Sequence, residues 1–240
     1  MKKVLFTVAL FSVCSVVTAQ ETTSTTNAPS DFKPTAGANN LELNLTPFGN
    51  TPISITNIRY RRFLTDKTAL RLGVGVSLAS SSVEEQLASN VTPGTTILGN
   101  RSKTSTFGWN IKPGYEKHFE GTKRLSPYIG GELDLASQTS KSVSHSLTAT
   151  DAVVENTVKN AGKTGFFRAG ANALAGCDFY VAKHLYLGAE MGFGFSMTSF
   201  YKQKTTSSPA PAIAVKDVDQ GRNFNLGPNF NSAIRVGYIF

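Results

Sequence analysis

Three histidines are the residues best suited to acid–base or metal chemistry in this 240-residue chain. They are His118, His145 and His184, and no two of them have the spacing of metal ligands. A serine hydrolase would need a serine and a carboxylate beside one of them, and the sequence places none there convincingly. A Gly-x-Ser-x-Gly segment and a phosphate-cradling loop are also absent from the sequence. We therefore predict structural or solvated histidines, no enzymatic activity, no metal and no cofactor.

Charged side chains form the second group that could do chemistry. Nine of them alternate with apolar residues, so that each lies on the opposite face of a predicted strand. If that face lines the inside of a closed sheet, the charges must pair, because an unpaired charge away from water is costly. The predicted lumenal charge cluster, with a structural role, consists of Arg71, Lys112, Glu116, Glu132, Asp134, Arg168, Asp178, Glu190 and Arg235.

Two further sets of residues have simpler explanations. Cys177 lies among alanines on an apolar face and is interpreted as a small apolar filler. Four cations near the last long connection could attract lipid phosphates, although a solvated loop is the simpler explanation. These cations are Lys202, Lys204, Lys216 and Arg222.

Eight segments with period-2 alternation supply the elements that must position the charges. In the third segment, Leu70, Leu72 and Val74 share one face, opposite Arg71 and Gly73. The predicted strands span residues 40–48, 53–64, 69–80, 104–119, 127–140, 163–182, 185–202 and 222–240.

The connections between these segments alternate in length. Short turns are predicted at residues 65–68, 120–126 and 182–184. Long loops rich in Ser, Thr, Asn and Lys are predicted near residues 81–103, 141–162 and 203–221. Short turns on one side and long loops on the other are typical of outer-membrane barrels. A change of phase between Ile55 and Ile58 also predicts a β-bulge in the second strand.

Aromatic residues at both ends of an apolar face distinguish a membrane sheet from a soluble barrel or sandwich, which would alternate as well. Phe167 and Phe179 bracket four alanines, and Phe107 and Phe119 lie at the two ends of another strand. Twelve residues at ~3.3 Å each, tilted by ~40°, rise about 30 Å, which matches an apolar band of ~25 Å plus its girdles. Glycines dominate the opposite face, where they would leave room for long side chains in a narrow lumen.

The first residues have the features of a secretory signal peptide: Lys2 and Lys3, an apolar run over residues 4–17, and Ala19 at the cleavage position. A transmembrane anchor is the alternative, but the run is shorter than the ~20 residues that a spanning helix needs. We predict a signal peptide over residues 1–19, a flexible periplasmic lead-in over 20–39 and a transmembrane β-barrel over 40–240. Only one cysteine would then remain, so no intramolecular disulfide is expected.

The net charge of +8 is spread along the chain. No run of Lys or Arg is longer than two residues, which argues against nucleic acid as a partner. No later segment approaches ~18 consecutive apolar residues, which argues against a helical membrane protein. The patterns together predict an all-β fold, an eight-stranded antiparallel up-and-down transmembrane β-barrel in the cell outer membrane.

The last nine residues, Ser-Ala-Ile-Arg-Val-Gly-Tyr-Ile-Phe, end on an aromatic residue with apolar or aromatic residues at alternating positions before it. This segment resembles the C-terminal signature that the barrel assembly machinery recognises, with Tyr238 and Phe240 as the assembly signal. The whole mature chain resembles the small outer-membrane β-barrels of the OmpA-transmembrane or OmpX type, a porin-family domain. The resemblance implies the fold and the location, and very little chemistry.

Two classes of function follow from these expectations. The first is a structural or interaction role, in which a closed, side-chain-filled barrel presents extracellular loops to a partner such as another outer-membrane protein. The alternative is a narrow channel for small solutes or ions, lined by the lumenal charges. Outer-membrane lipid and lipopolysaccharide are expected partners of either.

Overall fold

The computed structural model describes residues 32–45, 53–85, 100–147, 153–208, 217–230 and 234–240. Their regular structure is β-strand apart from one short 3-10 helix, Ala161–Lys163. No helix in the described ranges is long and apolar enough to cross a lipid bilayer. The strands are β1 (Asn39–Leu45), β2 (Ile53–Thr65), β3 (Thr68–Glu85), β4 (Asn100–His118), β5 (Leu125–Leu147), β6 (Val153–Lys159), β7 (Phe166–Ala182), β8 (Leu185–Phe200), β9 (Lys204–Ser208), β10 (Arg222–Phe230) and β11 (Ile234–Ile239).

The strands pair into one sheet that closes on itself, and the predicted all-β class is confirmed. β1 to β5 pair in chain order, β5 then pairs with β7, β7 with β8, and β8 with β11. β11 in turn pairs with β1, which completes the ring. β10 and β11 both pair with β8, opposite residues 191–199 and 185–188, so they share one position. The ring therefore has eight strand positions, and each of these pairs is antiparallel.

One end of the ring carries the short connections that were predicted, at residues 66–67, 119–124 and 183–184. The ring also closes at this end, because Asn39 and Phe240 exchange backbone hydrogen bonds of 3.1 and 2.9 Å. We call it the short-turn end, and the opposite end the long-connection end. Across two of the turns Lys67 Nζ lies 2.6 Å from Glu120 Oε1, and this hydrogen bond lowers the pKa of the Glu120 carboxyl.

At the long-connection end the strands extend into segments that were predicted as loops. β3 continues to Glu85, β4 already begins at Asn100, and β5 continues to Leu147. β6 and β9 also lie in predicted loops; β6 pairs with the upper part of β5, and β9 pairs with β6. The polar composition misled the prediction, because backbone groups pair equally well when both faces of a sheet carry Ser and Thr.

Alternation along the strands sorts side chains between two faces as the sequence predicted. On β3, Leu70, Leu72 and Val74 are exposed on the outer face, whereas Arg71 is 2 % exposed on the inner face. The same holds on β8, where Phe193 is exposed and Tyr186 is fully buried. Apolar residues therefore cover the outside of the ring, and polar and aromatic residues fill the inside.

The β-bulge predicted in the second strand is confirmed. Leu43 of β1 lies opposite Ile58 of β2, but the next residue, Asn44, lies opposite Ser54. Three residues of β2 are thus left without a partner on β1, which changes the phase of the alternation. The bulge accounts for the inward direction of Arg59 and Arg61, which breaks the alternation that Ile53 and Ile55 begin in the sequence.

Residues 32–38, the described part of the predicted flexible lead-in, pack against the short-turn end. Phe32 and Ala38 contact the cluster of Tyr180, Tyr186 and Ile239. The backbone N–H of Gly37 donates to the Phe63 carbonyl at 2.8 Å, which joins the segment to β2. This part of the lead-in is therefore attached to the ring, while residues 20–31 and the predicted signal peptide lie outside the described residues.

Candidate functional site: an ionic network inside the ring

Arginines and carboxylates from all eight strand positions meet inside the ring. β2 and β3 supply Arg61 and Arg71, and β11 supplies Arg235; all three guanidinium groups are buried. Alternation aims each side chain inward, and the closed sheet then brings residues from distant parts of the chain within contact of each other. The carboxylates that meet them come from β1, β4, β5, β7 and β8; they are Glu42, Glu116, Glu132, Asp178 and Glu190.

Arg71 joins three carboxylates that were predicted to belong to one cluster. Its Nη1 lies 2.7 Å from Glu116 Oε1 and 2.7 Å from Glu190 Oε2. Its Nη2 lies 2.9 Å from Glu132 Oε2. The planar guanidinium can satisfy several acceptors at fixed angles, which an ammonium group could not do.

Arg61 is the most enclosed of the arginines and was absent from the predicted cluster. Its Nη1 lies 2.5 Å from Asp178 Oδ2, its Nε lies 3.1 Å from Glu116 Oε2, and its Nη2 contacts Glu42. The guanidinium also lies over the rings of Tyr128 and Tyr186, at 5.5 and 5.6 Å from their centroids.

Glu116 bridges two arginines that lie directly opposite each other. Arg61 of β2 is the cross-strand partner of Arg71 of β3, and like charges in that position repel. Because each oxygen of Glu116 contacts one of the two guanidinium groups, the carboxylate offsets the repulsion. The interior thus supplies its own counter-ion wherever two cations face each other.

Two tyrosines complete the network with hydrogen bonds. Tyr186 donates its hydroxyl hydrogen to Glu42 Oε1 at 2.7 Å, and Tyr128 donates to Glu190 Oε2 at 2.6 Å. Arg235 donates from Nη2 to the Tyr128 hydroxyl at 2.6 Å, and its Nη1 lies 3.0 Å from Glu42 Oε2. The Tyr128 hydroxyl thus links Arg235 to Glu190, and the Tyr186 hydroxyl holds Glu42 beside the arginines.

Glycines make room for these large side chains, as the sequence predicted. A Cβ atom on Gly176 would lie 2.5 Å from Cζ of Tyr128, and one on Gly188 would lie 2.7 Å from Nη2 of Arg235. A Cβ atom on Gly237 would overlap the ring of Tyr186. The glycine face of the strands is therefore the space into which the network packs.

Three predicted members form a second cluster, nearer the long-connection end. Arg168 Nε lies 3.0 Å from Asp134 Oδ2, and Lys112 Nζ lies 3.9 Å from Asp134 Oδ1. Both cations keep about a third of their side chains exposed, at 35 % and 33 %. A polar cavity of about 480 Å³ lies between the two clusters, and Arg59 and Glu190 of the main network line it as well.

The charges inside the ring balance. Six cations face six carboxylates across the two clusters, so the described interior has no net charge apart from any on His118. The cations are Arg59, Arg61, Arg71, Lys112, Arg168 and Arg235. The carboxylates are Glu42, Glu116, Glu132, Asp134, Asp178 and Glu190.

A model of the OmpA-OmpF-like porin family matches residues 45–226, which is more than half of the chain. The chain belongs to the OmpA-OmpF-like porin family. The match confirms the resemblance seen in the sequence and supports an outer-membrane porin-like β-barrel. Neither a search of curated proteins nor a search of solved structures found a match.

In this member of the OmpA-OmpF-like porin family, sequence analysis placed nine residues in one lumenal cluster, and all nine face the interior. Arg71, Glu116, Glu132, Asp178, Glu190 and Arg235 lie in the main network, and Lys112, Asp134 and Arg168 form the second cluster. Sequence analysis missed Glu42, Arg59 and Arg61, although Glu42 alternates with Leu41 and Leu43. The bulge hid the two arginines, because it reverses the phase of β2.

His118 has neighbours that the sequence did not indicate. Its Nδ1 lies 3.0 Å from Ser126 Oγ, and its Nε2 lies 3.4 Å from Glu116 Oε2. The imidazole packs between Phe63 and Tyr128, with ring centroids 5.1 and 5.0 Å away. Ser126 is 5 % exposed, and Glu116 already binds two arginines. This geometry suits an imidazole that supports Glu116 better than one that activates a nucleophile.

The other two histidines contact single partners. His184 Nδ1 lies 2.8 Å from the Ile239 carbonyl oxygen, beside the closing strand pair. His145 Nε2 lies 3.3 Å from Glu155 Oε2, on neighbouring strands β5 and β6. In the part of the chain that the structure describes, no group of three His, Cys, Asp or Glu residues could hold a metal ion.

Proposed function

We propose that this member of the family is an eight-stranded up-and-down β-barrel that spans the outer membrane with its lumen closed by the ionic network. The short-turn end would face the periplasm and the long-connection end the exterior. The barrel would serve a structural or interaction role through its extracellular side. Barrel assembly machinery, lipopolysaccharide and a further outer-membrane protein are the partners that this role implies.

The ring has apolar residues on its outer face and charged residues on its inner face, and this distribution supports the proposed position in the membrane. The outer face exposes large apolar residues on successive strands, such as Leu72 (41 %), Ile111 (40 %) and Leu133 (53 %), whereas arginines and carboxylates are buried inside. Soluble proteins bury such residues and expose charges, and they seldom expose large continuous apolar surfaces. A lipid environment removes this cost, because the apolar side chains then face acyl chains.

The ionic network carries the proposal that the lumen is closed. Arg61, Arg71 and Arg235 fill the cross-section together with Tyr128 and Tyr186, and each is nearly or fully buried. An eight-stranded ring has an interior that side chains can fill, whereas water-filled porins have about sixteen strands. Mobile ions would have to displace arginines that several carboxylates hold.

Conductance across a planar lipid bilayer tests this proposal. We expect no large, stable conductance steps from the reconstituted wild-type protein. The Arg71→Ala variant, which removes a guanidinium and leaves three carboxylates without it, should open a measurable leak. Arg62→Ala, an exposed arginine on the same sheet, is the matched control and should stay closed. Steady porin-sized steps from the wild type would contradict the closed lumen.

A narrow channel remains the second candidate because of the polar cavity. The cavity of about 480 Å³ is lined by Lys112, Asp134 and Arg168 on one side and by network residues on the other. Small conductance steps whose ion selectivity changes in Lys112→Gln would favour this channel. Such steps would have to occur in the wild type, since a leak created by mutation only reports a broken network.

A further inference from the structure

Three lysines lie in one row across neighbouring strands on the outer face of the sheet. Lys141 of β5 is directly opposite Lys159 of β6, and Lys159 is directly opposite Lys204 of β9. Residues that face each other across an antiparallel pair point to the same side, with Cβ atoms about 4.5–5.5 Å apart. The three side chains are exposed. They therefore form a row of like charges, which we call the lysine row.

The lysine row lacks the internal counter-ion that the interior supplies. Inside the ring, Glu116 bridges the opposed arginines Arg61 and Arg71. On the outer face, Lys204 has one carboxylate nearby among the described residues, with Asp217 Oδ2 at 3.7 Å. Within the described ranges neither Lys141 nor Lys159 has a carboxylate within ion-pair distance.

Among the described residues, two carboxylates near the row on this face already have partners. Glu155 lies against His145, and Glu84 lies 3.2 Å from Arg101. Lys103 of β4 adds another exposed positive charge, because it lies two residues from Ser105, the β4 residue opposite Lys141. Like charges in direct opposition destabilise a sheet unless an anion lies between them. Anions from outside the chain would therefore stabilise the row by reducing the repulsion between its lysines.

The level of the row indicates where such anions come from. Phe107, an exposed aromatic residue at the edge of the apolar belt, lies opposite Thr139. Lys141 is two residues farther toward the long-connection end, about 7 Å along the strand at ~3.3 Å per residue. In a barrel that spans the membrane, this is the level at which lipid head groups begin, just above the aromatic girdle.

From the positive charge of the three lysines, their direct opposition across the strands and their position just beyond the aromatic residues, we infer that the lysine row binds the phosphate groups of lipopolysaccharide in the outer leaflet. One phosphate can accept hydrogen bonds from two ammonium groups at this spacing, so a glycolipid with two phosphates could engage all three lysines. The inference rests on the proposed membrane placement. Of the four cations near the last long connection that could attract lipid phosphates, only Lys204 belongs to the lysine row; Lys202, Lys216 and Arg222 do not.

Lipid binding to the purified full chain tests the inference. The folded protein in detergent is titrated with lipid A that carries both phosphates, and the bound lipid is counted by native mass spectrometry. The triple variant K141Q/K159Q/K204Q should bind far more weakly, because each lysine near an anionic surface contributes roughly fivefold in affinity. The loss should be largest at low salt, since salt screens these contacts.

A matched control carries the same charge change at the opposite end. K117Q/K123Q/K183Q replaces three exposed lysines at or near the short-turn end and should bind the lipid as the wild type does. Lipid A without phosphates, added to the wild type, should bind as weakly as the complete lipid binds to the row variant. This second comparison uses only wild-type protein, so it decides the matter even if the row variant fails to fold.

Two results would overturn the inference. One is equal affinity of the wild type for lipid A with and without phosphates, and the other is undiminished binding by a folded row variant. Failure of the proposed function is distinguishable from both, because it would appear as a wild-type protein that does not fold, in detergent or lipid, into a form that resists dodecyl sulfate until it is boiled.

Discussion

Single residues inside the ring act as counter-ions for several others at once, and Arg61 is the extreme case. It is fully buried and contacts Glu42, Glu116 and Asp178 together. Its neighbour Arg62 has the same chemistry but points outward and is exposed. Two adjacent arginines therefore differ only in the face on which alternation places them.

This difference predicts unequal effects of the same substitution on stability. Arg61→Met leaves three buried carboxylates without their shared cation, and loss of one partner of a buried ion pair costs about 3–5 kcal/mol. Arg62→Met should change the free energy of unfolding by about 0.5 kcal/mol or less. Urea unfolding of each variant in lipid vesicles, followed by tryptophan fluorescence, measures both. Equal effects of the two substitutions would refute the role assigned to Arg61.

At the scale of elements, closure of the ring depends on the pairing of the last strand with the first. Gly237 of β11 lies opposite Glu42 of β1, and its missing side chain leaves space for Tyr186. Beyond β11, Phe240 exchanges backbone hydrogen bonds with Asn39 while its own side chain is 61 % exposed. The phenyl ring of Phe240 thus adds little burial within the protein.

The exposed position of Phe240 predicts an effect on assembly rather than on stability. Phe240→Ala keeps the backbone pairing with Asn39 but removes the ring that resembles the assembly signal. The fraction of protein inserted in the outer membrane of cells should fall, and deletion of Phe240 should lower it further. Phe119→Ala, which removes an exposed aromatic residue beside another short turn, is the control. Normal insertion of both Phe240 variants would rule out this role.

For the whole molecule, the pairing of β11 with β1 closes the ring, so this part of the sheet has no free edge at which unfolding can begin. Its hydrogen bonds are made between strands, and the interior is held by ion pairs that connect opposite walls, such as Arg71 with Glu190 at 2.7 Å. Closed β-barrels in general are the β-structures that lipid tolerates, because all their backbone groups are paired.

Closure predicts a barrel that resists detergent until it is heated. Unboiled protein should migrate differently from boiled protein in gel electrophoresis with dodecyl sulfate, and circular dichroism should show mainly β-structure before boiling. The boiled sample of the same preparation is the control. Identical migration of the two samples, with a helical spectrum, would contradict the proposed barrel.

Much of the architecture follows from the sequence alone, because alternation with period 2 is a local property. The limits of the predicted strands near the short-turn end agree with the structure, as at β2 (Ile53–Thr65) and β7 (Phe166–Ala182). The inward direction of Arg71 and Glu190 also followed from their apolar neighbours. The long-connection end was predicted less well, because β9 (Lys204–Ser208) contains no apolar residue and the three valines of β6 (Val153–Lys159) do not follow a strict alternation.

Only the tertiary structure decided which charges meet. Arg71 and Glu190 are 119 positions apart in the chain, and their spacing in the sequence does not predict that the closed ring brings them to 2.7 Å from each other. The bulge in β2, seen in the sequence as a phase change, turns Arg61 inward only because β1 and β3 fix the strand on both sides. Alternation determines the face of each residue, whereas the register of strand pairing around a closed ring determines its partners.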